Sequence, residues 1–313
     1  MTTLTASPEA TETFACFGSS CSVHVAGRGA FGTAPDAVHE AKRRLRAWHE
    51  QFSRFDPDSE LARLNADPRT VVPVSPMMAT LAGTALAIGA LSGGRVDATL
   101  IDEVERAGYD RSHDGRSLPL EVALSLAPPR RPAGTSAQAG WRELSVDRSA
   151  GTIARPPGVK LDSGGVAKGL FADALALELS EYDSFAIDCG GDIHLGGAAR
   201  SEREVAVAGP FDGRILHRFG LRDGAVATSG IGKRSWLRPD GRPAHHLIDP
   251  ATGEPAFTGI VQATAIAPTG VLAEALSKAA LLSGPGGAEQ WLTRGGVIVY
   301  DDGSHLVVEP LAA

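Results

Sequence analysis

The second half of the sequence is a series of short segments rich in small, β-branched and aromatic residues, and glycines separate them. SFAIDCGGDIHLGG is typical of a strand, a glycine turn and a second strand, and EREVAVAG, RILHRFGL and GAVATSG have the same character. Such segments bounded by glycine predict β-strands. The 37 Gly and 20 Pro of the chain imply frequent turns. The pattern therefore predicts an α+β fold with antiparallel sheets and packed helices, rather than a helical bundle.

The first strand is expected from Phe17 to Ala26. Helical signals are confined to a few stretches of the chain. Apolar spacing, a Ser-Pro start and glycine stops predict helices at about 36–52, 76–91, 166–180 and 271–282.

The domain organisation follows from the loop-like stretches. Residues 1–13 are expected to form a disordered tail, and 14–313 a single domain with two lobes. Residues 126–140, LAPPRRPAGTSAQAG, are the most loop-like internal stretch and are expected to lie between the lobes.

Composition excludes several classes of protein. Thirty basic residues against 37 acidic ones give a net charge of −7, which argues against a nucleic-acid-binding surface. No apolar run is long enough to span a membrane. The N-terminus lacks the basic and apolar regions of a signal peptide, so a cytoplasmic location is expected. The three cysteines are too few and too scattered for a disulfide framework and are expected to be free thiols.

The densest cluster of chemically useful residues is DSGGVAKG, from Asp162 to Gly169. A strand delivers an acid, glycines allow close approach of the backbone to a ligand, and Lys168 falls in the first turn of the next helix. Backbone N–H groups at a helix start bind phosphate, and a lysine adds a positive charge. The alternative is an ordinary strand-to-helix turn with a solvated lysine. The spacing is not that of a Walker motif.

Three glycine or histidine motifs follow, each with a structural alternative. DCGGD at 188–192 places two acids around a tight turn that requires positive φ. Thr228 begins TSG, whose hydroxyls either bind phosphate or cap a turn. HHLIDPATG at 245–253 holds paired imidazoles beside an acid, which suit ligand binding or proton transfer. Its alternative is a surface turn.

In chain order, seven segments resemble the ApbE family of FAD:protein FMN transferases. Each is weak alone, but their order is specific, and they extend over most of the chain, from about Phe17 to Leu282. The segments are FGS at 17–19, FSRFDPDSELARLN at 52–65, GRVDATL at 94–100, LDSGGVAKGLFAD at 161–173, IDCGGDI at 187–193, ATSG at 227–230 and HHLIDPATGEP at 245–255.

The resemblance implies a two-lobed, T-fold-like α+β architecture with FAD between the lobes. It also implies protein flavinylation, in which the FAD pyrophosphate is broken, AMP is released, and FMN is joined by a phosphoester to a Thr or Ser hydroxyl of an acceptor flavoprotein. His246, close to the phosphates, and Lys168 would be catalytic. The implied FAD contacts are Phe17, Phe55, Arg95, Val96, Asp97, Asp162, Lys168, Thr228 and Ile248.

The family's Mg²⁺ site is where this sequence departs from the pattern. The resemblance places one ligand at the backbone carbonyl of Gly165 and two on a later helix, within AEALSKA at 273–279. There, Glu274 replaces the family's aspartate and Lys278 replaces its threonine. Positions i and i+4 share a helix face, but a protonated lysine has no lone pair to give a metal.

Three interpretations of this departure stay open. In the first, the Lys278 ammonium replaces part of the metal's charge. In the second, Mg²⁺ binds through Glu274, the Gly165 carbonyl, water and phosphate, with Lys278 turned away. In the third, the site is catalytically inactive and only binds flavin. A plain helix ion pair is the structural alternative. Two rival functions follow, a non-catalytic FAD-binding protein and an FAD pyrophosphatase that yields FMN and AMP.

Overall fold

An antiparallel sheet of eight strands forms the centre of the molecule. The structure is a computed structural model, and it describes residues 8–111 and 117–311. The strands of the sheet, β1 to β8, are neighbours in space in the same order as in the chain. They are Glu9–Cys16, Ser19–Ala26, Ser184–Cys189, Asp192–Gly196, Gly224–Gly230, Ile260–Ala267, Gly296–Tyr300 and His305–Val308.

Seven α-helices lie in the described ranges 8–111 and 117–311. Within the same ranges, no helix is both long enough and apolar enough to cross a membrane. Several helices begin at a hydroxyl cap, as in α3, where the Ser75 side chain accepts from the Met78 N–H. The helices α1 to α7 are Ala34–Gln51, Glu60–Ala66, Pro76–Leu91, Ile101–Arg106, Leu120–Leu126, Ala167–Leu179 and Gly270–Ser283.

Helices α1, α6 and α7 cover one face of the sheet. Helix α1 packs on β1 and β2, α6 on β3 and β4, and α7 on β5 and β6, and α6 contacts both other helices. Helices α6 and α7 approach so closely that a Cβ on Gly169 would lie 2.5 Å from the carbonyl carbon of Gly270. Glycine is therefore required at residue 169, and this contact brings the first turn of α6 beside α7.

Short strands complete the fold around the main sheet. A three-stranded sheet packs near α3, and four two-stranded ribbons lie in other connections of the described chain. The three-stranded sheet contains Val71–Pro73, Thr152–Ala154 and Ser145–Asp147. The ribbons pair Arg28–Gly29 with Gly32–Thr33, Arg203–Ala208 with Ile215–Leu221, Ser235–Leu237 with Pro243–His245, and Ile248–Asp249 with Glu254–Pro255.

The predicted loop at 126–140 packs against the second half of the chain. Its backbone N–H groups at Arg131 and Ala133 donate to the carbonyls of Phe257 and Leu282. Ala133 is part of the hydrophobic cluster around β6, β7 and α7. The segment is irregular in structure, as expected, but it is fixed by hydrogen bonds, and its role as a boundary between lobes stays a prediction.

The N-terminal expectations need correction. Residues 9–13, assigned to a tail, belong to β1, and the strand expected from Phe17 begins at Ser19 instead. Phe17 itself has a φ of 54° and forms the turn between the two strands. The remaining tail residues 1–7 lie outside the described chain. Strand β1 was not predicted because Glu and Thr fill most of its first half and its buried residues, Phe14 and Cys16, lie at its C-terminal end. Pairing with β2 is what identifies the whole segment as a strand.

Candidate active site

A cleft opens where the loops after α1 and α3, the start of α6, the turn at 246–248 and α7 meet. Its volume is about 1420 Å³, counted with the space that opens to solvent. Most of the site residues predicted from the sequence line it: Phe17, Phe55, Arg95, Val96, Asp97, Asp162, Gly165, Lys168, His246, Ile248 and Lys278.

Thr228 is a predicted FAD contact that does not line the cleft. Its hydroxyl is 2.9 Å from that of Thr264 on the neighbouring strand. The next residue, Ser229, faces α7, where its hydroxyl is 2.8 Å from that of Ser277. Because side chains alternate along a strand, Thr228 points to the opposite face of the sheet from α7. The lining of the cleft therefore gives no support to a contact between Thr228 and FAD, which stays a prediction from the sequence.

The segment before α6 is held in place by neighbouring loops. The Asn65 side chain exchanges two hydrogen bonds with the backbone of Leu161, at 2.8 and 2.9 Å. The Ser163 hydroxyl donates to the carbonyl of Phe52 at 2.9 Å, and the carboxylate of Asp162 accepts from the Gly164 N–H at 3.1 Å. These bonds fix the glycine-containing loop against the wall of the cleft.

Lys168 lies in the first turn of α6, and its ammonium forms an ion pair with the buried Asp192. Asp192 follows the tight turn of Gly190 and Gly191, whose φ values are 75° and 98°. Burial is the largest single effect on Lys168 and would lower its pKa. The carboxylates of Asp192 and Glu274 together outweigh burial, and the pKa of Lys168 is raised. The lysine is a paired, charged group rather than the solvated side chain of an ordinary turn.

Glu274 and Lys278 lie one turn apart on α7 and form a second buried ion pair. The Nζ of Lys278 donates to Oε1 of Glu274 at 2.8 Å, and Oε2 of Glu274 accepts from the Gly169 N–H at 3.0 Å. Burial would raise the pKa of Glu274, but the ammonium groups of Lys278 and Lys168 lower it below its usual value. The two pairs, Lys168–Asp192 and Glu274–Lys278, are called the ion-pair cluster below.

The predicted magnesium positions come together, but the residues do not fit the ion. Lys278 lies beside Gly165, since a Cβ built on Gly165 would be 4.0 Å from Cε of Lys278. In the described chain, no group of three or more His, Cys, Asp or Glu is arranged to hold a metal. Both oxygens of Glu274 are already bonded, one to the Lys278 ammonium and one to the Gly169 N–H. The ligand arrangement that the resemblance implies is therefore replaced by an ion pair.

His246 lines the wall of the cleft and is partly buried, and its Nδ1 lacks a hydrogen-bond partner among the described residues. Burial is the largest effect on this imidazole, and together with the positive charges of Arg234 and Lys278 it lowers the pKa of His246 well below its usual value of 6.5. Burial also lowers the pKa of His245 to about 3. Both imidazoles are therefore neutral near pH 7, and the interpretation of an exposed surface turn is wrong.

Asp249, the acid of the HHLIDPATG motif, has a structural role. Asp249 Oδ1 accepts from the backbone N–H groups of Gly134 and Ala251, at 2.9 and 3.0 Å, and its Oδ2 accepts from the Thr252 hydroxyl at 3.1 Å. The carboxylate thereby fixes the turn that carries His246, and it does not line the cleft.

Arg234 is a cleft residue that the sequence interpretation missed. Its guanidinium donates to the carbonyl of Phe17 at 3.0 Å, which ties the loop after β5 to the turn between β1 and β2. It adds a positive charge to the wall that Lys168 and Lys278 also line. Its position shortly after the TSG motif, in GKR, was an available signal.

Arg54 and Tyr109 are two more missed residues, and with Phe55 they form one side of the cleft. The guanidinium of Arg54 lies 4.4 Å from the ring centroids of both Phe55 and Tyr109. The two rings are 5.6 Å apart and meet edge to face. These three residues are called the aromatic wall below, and a planar ring system can stack against such a surface.

Besides Nδ1 of His246, three buried polar atoms of cleft-lining residues lack hydrogen-bond partners in the described chain: Nη1 of Arg54, Nε of Arg95 and Oδ2 of Asp97. The other oxygen of Asp97 accepts from the backbone and hydroxyl of Thr99, at 2.8 and 2.5 Å. Burial raises the pKa of Asp97. Because unpaired buried polar groups are costly, these atoms suit hydrogen bonds to a polar ligand.

Comparison with known proteins gives one consistent family. The model of the ApbE family matches residues 17–300. The FAD:protein FMN transferase of Treponema pallidum is 30% identical over 284 residues, which are 85% of this chain and 76% of the relative. The enzyme of that name from Escherichia coli K12 is 28% identical over 267 residues, which are 82% and 73% of the two chains.

Solved structures have the same fold. The ApbE protein of Thermotoga maritima is 23% identical, with a TM-score of 0.79 over 96% of this chain and 97% of the other. The flavinyl transferase ApbE of Pseudomonas stutzeri, in its apo form, is 22% identical, with a TM-score of 0.77 over 97% and 96% of the two chains. The expected α+β architecture is thereby confirmed.

Proposed function

Because the chain belongs to the ApbE family, we propose that it transfers FMN from FAD to a Thr or Ser hydroxyl of an acceptor protein and releases AMP. The curated relatives carry the name FAD:protein FMN transferase. The observation that carries the proposal is the lining of the cleft, which joins a positively charged region to an aromatic wall. A flavin dinucleotide has the matching parts, a diphosphate and two planar ring systems.

The proposed reaction is a displacement at phosphorus. The acceptor hydroxyl oxygen attacks the phosphorus atom of the FMN half, and the bond from that atom to the bridging oxygen breaks. AMP leaves with the bonding electron pair, and the hydroxyl proton goes to a base. Little covalent chemistry falls to the protein in such a reaction, so positioning and charge stabilisation dominate.

His246 is proposed as the base, and Lys168 as a phosphate-binding group. A neutral imidazole can accept a proton, and the unpartnered Nδ1 of His246 in the cleft lining supports this role. The raised pKa of Lys168 keeps its positive charge near the incoming diphosphate. The guanidinium of Arg234 lines the same wall of the cleft and adds a further positive charge there.

The rest of the lining would bind the two ring systems and the ribityl and ribose groups. The aromatic wall offers Phe55 for stacking, and the unpartnered atoms of Arg95 and Asp97 suit hydrogen bonds to ligand hydroxyl or ring atoms. The remaining predicted contacts are Phe17, Val96, Asp162 and Ile248. The side chain of Phe55 has no hydroxyl, which favours stacking over hydrogen bonding.

Mg²⁺ was part of the sequence expectation, and the paired state of Glu274 and Lys278 does not support it. No step of the proposed reaction passes through a metal. The acceptor flavoprotein and its target motif, and the cytoplasmic location, stay predictions from the sequence.

One labelling assay tests the function against both rivals. The purified protein is incubated with FAD and an acceptor protein, with an acceptor whose target hydroxyl is removed as the matched control. Flavin fluorescence that stays with the acceptor after denaturing electrophoresis, and is lost with the control acceptor, is the expected result. Free FMN and AMP without labelling would instead indicate a pyrophosphatase. Unchanged FAD that copurifies with the protein would indicate a non-catalytic flavin-binding protein.

A further inference from the structure

We propose that the ammonium of Lys278 is the built-in cation of this active site, so that FAD binding and transfer need no divalent metal. The inference rests on the proposed function, since it concerns the diphosphate of the same substrate. Lys278 is then a residue that binds phosphate directly, and its function does not depend on a metal.

The first argument is the position of Lys278. Its side chain lines the cleft, and Cε lies beside Gly165, where the resemblance implies a metal-ligating carbonyl. Of the three N–H groups of its ammonium, one is directed to Glu274 at 2.8 Å. The remaining two can donate to phosphate oxygens. The tether to Glu274 holds the charge at the cleft wall.

The second argument is that Glu274 is not available to a metal. It is 1% exposed and does not line the cleft. An ion would have to displace the Lys278 ammonium from one oxygen, while the other oxygen accepts from the Gly169 N–H at the contact between α6 and α7. If Lys278 turned away, the carboxylate of Glu274 would stay buried without its cation, which is strongly destabilising.

The third argument is the balance of charge. The ion-pair cluster joins two ammonium groups to two buried carboxylates, so it has no net charge when all four groups are ionised. A divalent ion added beside it would place two further positive charges next to two ammonium groups. A diphosphate instead meets Lys278 and Arg234 at the wall, and Arg234 bonds to a backbone carbonyl, not to a carboxylate, in the described chain. Preorganised cations of this kind stabilise charge that develops on phosphate oxygens.

The wild-type protein provides the primary test. FAD affinity is measured by flavin fluorescence or calorimetry in EDTA and again with excess Mg²⁺, after the protein has been stripped of metal. We expect the two Kd values to agree within about twofold, which is a small difference in binding free energy. Binding that requires Mg²⁺, or that Mg²⁺ tightens tenfold or more, would overturn the inference and leave the proposed function standing. Absence of FAD binding in both conditions would overturn the proposed function and this inference with it.

Variants supply the second test, with binding and thermal unfolding as readouts besides activity. Lys278→Thr should bind FAD about tenfold more weakly in EDTA, because a charge-assisted contact is lost, and Mg²⁺ should restore part of the affinity. The matched control is Lys233→Thr, which removes an exposed lysine next to Arg234 and should bind as the wild type does. A double variant, Lys278→Met with Glu274→Gln, has neither the cation nor a metal-binding carboxylate, so Mg²⁺ should not restore its affinity. If the folded Lys278→Thr protein binds FAD in EDTA as tightly as the control, the inference is wrong.

Discussion

The ion-pair cluster and the aromatic wall line the same cleft but are built in different ways. The cluster joins α6, α7 and the start of β4, and all four of its charges are paired and largely buried. The wall comes from the loops after α1 and α4, and its Phe55 is 38% exposed. Regular elements therefore hold the charges that chemistry needs, while loops present the surface that selects the ligand. Changes in the cluster should affect stability and catalysis together, and changes in the wall should affect binding alone.

The largest expected effect comes from unpairing the cluster. Lys278→Met leaves Glu274 buried without its cation and should lower the free energy of unfolding by about 3–5 kcal/mol. Adding Glu274→Gln removes the stranded charge and keeps an acceptor for the Gly169 N–H, so most of this loss should be recovered. Chemical denaturation of the single and double variants measures both values. Equal stabilities for the two variants would mean that the pair is not buried as a unit.

The next-largest effect is expected in the Lys168–Asp192 pair, where catalysis can be changed without a loss of stability. In Lys168→Met with Asp192→Asn, no charge is left unpaired, so the fold should be retained. The loss of a preorganised cation at the phosphate should slow single-turnover flavin transfer by about 100- to 1,000-fold. Stopped labelling reactions at saturating FAD give the rate, and circular dichroism reports the fold. A folded double variant with an unchanged rate would remove Lys168 from the mechanism.

A smaller effect is expected at the aromatic wall. Phe55→Ala should weaken FAD binding by about 1 kcal/mol, roughly fivefold in Kd, through the loss of stacking. Thermal stability should change little because the side chain is partly exposed. Leu177→Ala, which truncates a residue 77% exposed on α6 and absent from the cleft lining, is the control for removing an exposed apolar side chain. An equal effect of the two substitutions on Kd would contradict the assignment of the wall.

The smallest effect is one of pH. Because burial lowers the pKa of His246 well below 6.5, its neutral form persists as the pH falls through that value. The transfer rate should therefore change by less than about twofold between pH 8 and pH 6, whereas an ordinary histidine base would be protonated over this interval. The profile of kcat/KM against pH checks this expectation. A decline with an apparent pKa near 6.5 would show that the imidazole of the active form is solvated.

Most helices and strands could be predicted because their signals are local. The helix expected at 271–282 is Gly270–Ser283, and that expected at 166–180 is Ala167–Leu179. Apolar spacing, glycine stops and capping hydroxyls act within a few residues of each other, so the sequence is enough to locate them. Strand β1 was missed because an edge strand with polar alternation depends on its partner for recognition.

The site could be predicted as a set of motifs, but not as an arrangement. The Glu274–Lys278 pair was readable because positions i and i+4 share one helix face. The partner of Lys168 is 24 residues away, and the carbonyl bound by Arg234 is 217 residues away. At Thr228 the motif matches the family, but the sheet directs the side chain away from α7, which the sequence alone does not indicate.

Most of the secondary structure, the family motifs and the replacement of an expected metal ligand by a lysine could be read from the sequence, because these depend on residue type and short-range spacing. The three-dimensional packing was needed to show that Lys278 stays paired with Glu274 at the cleft wall, that the pKa of His246 is lowered, and that Arg234 and the aromatic wall belong to the site. The physical reason is that burial and charge pairing arise from the packing of elements distant in the chain, and this packing sets which charges are exposed to a ligand and which are not.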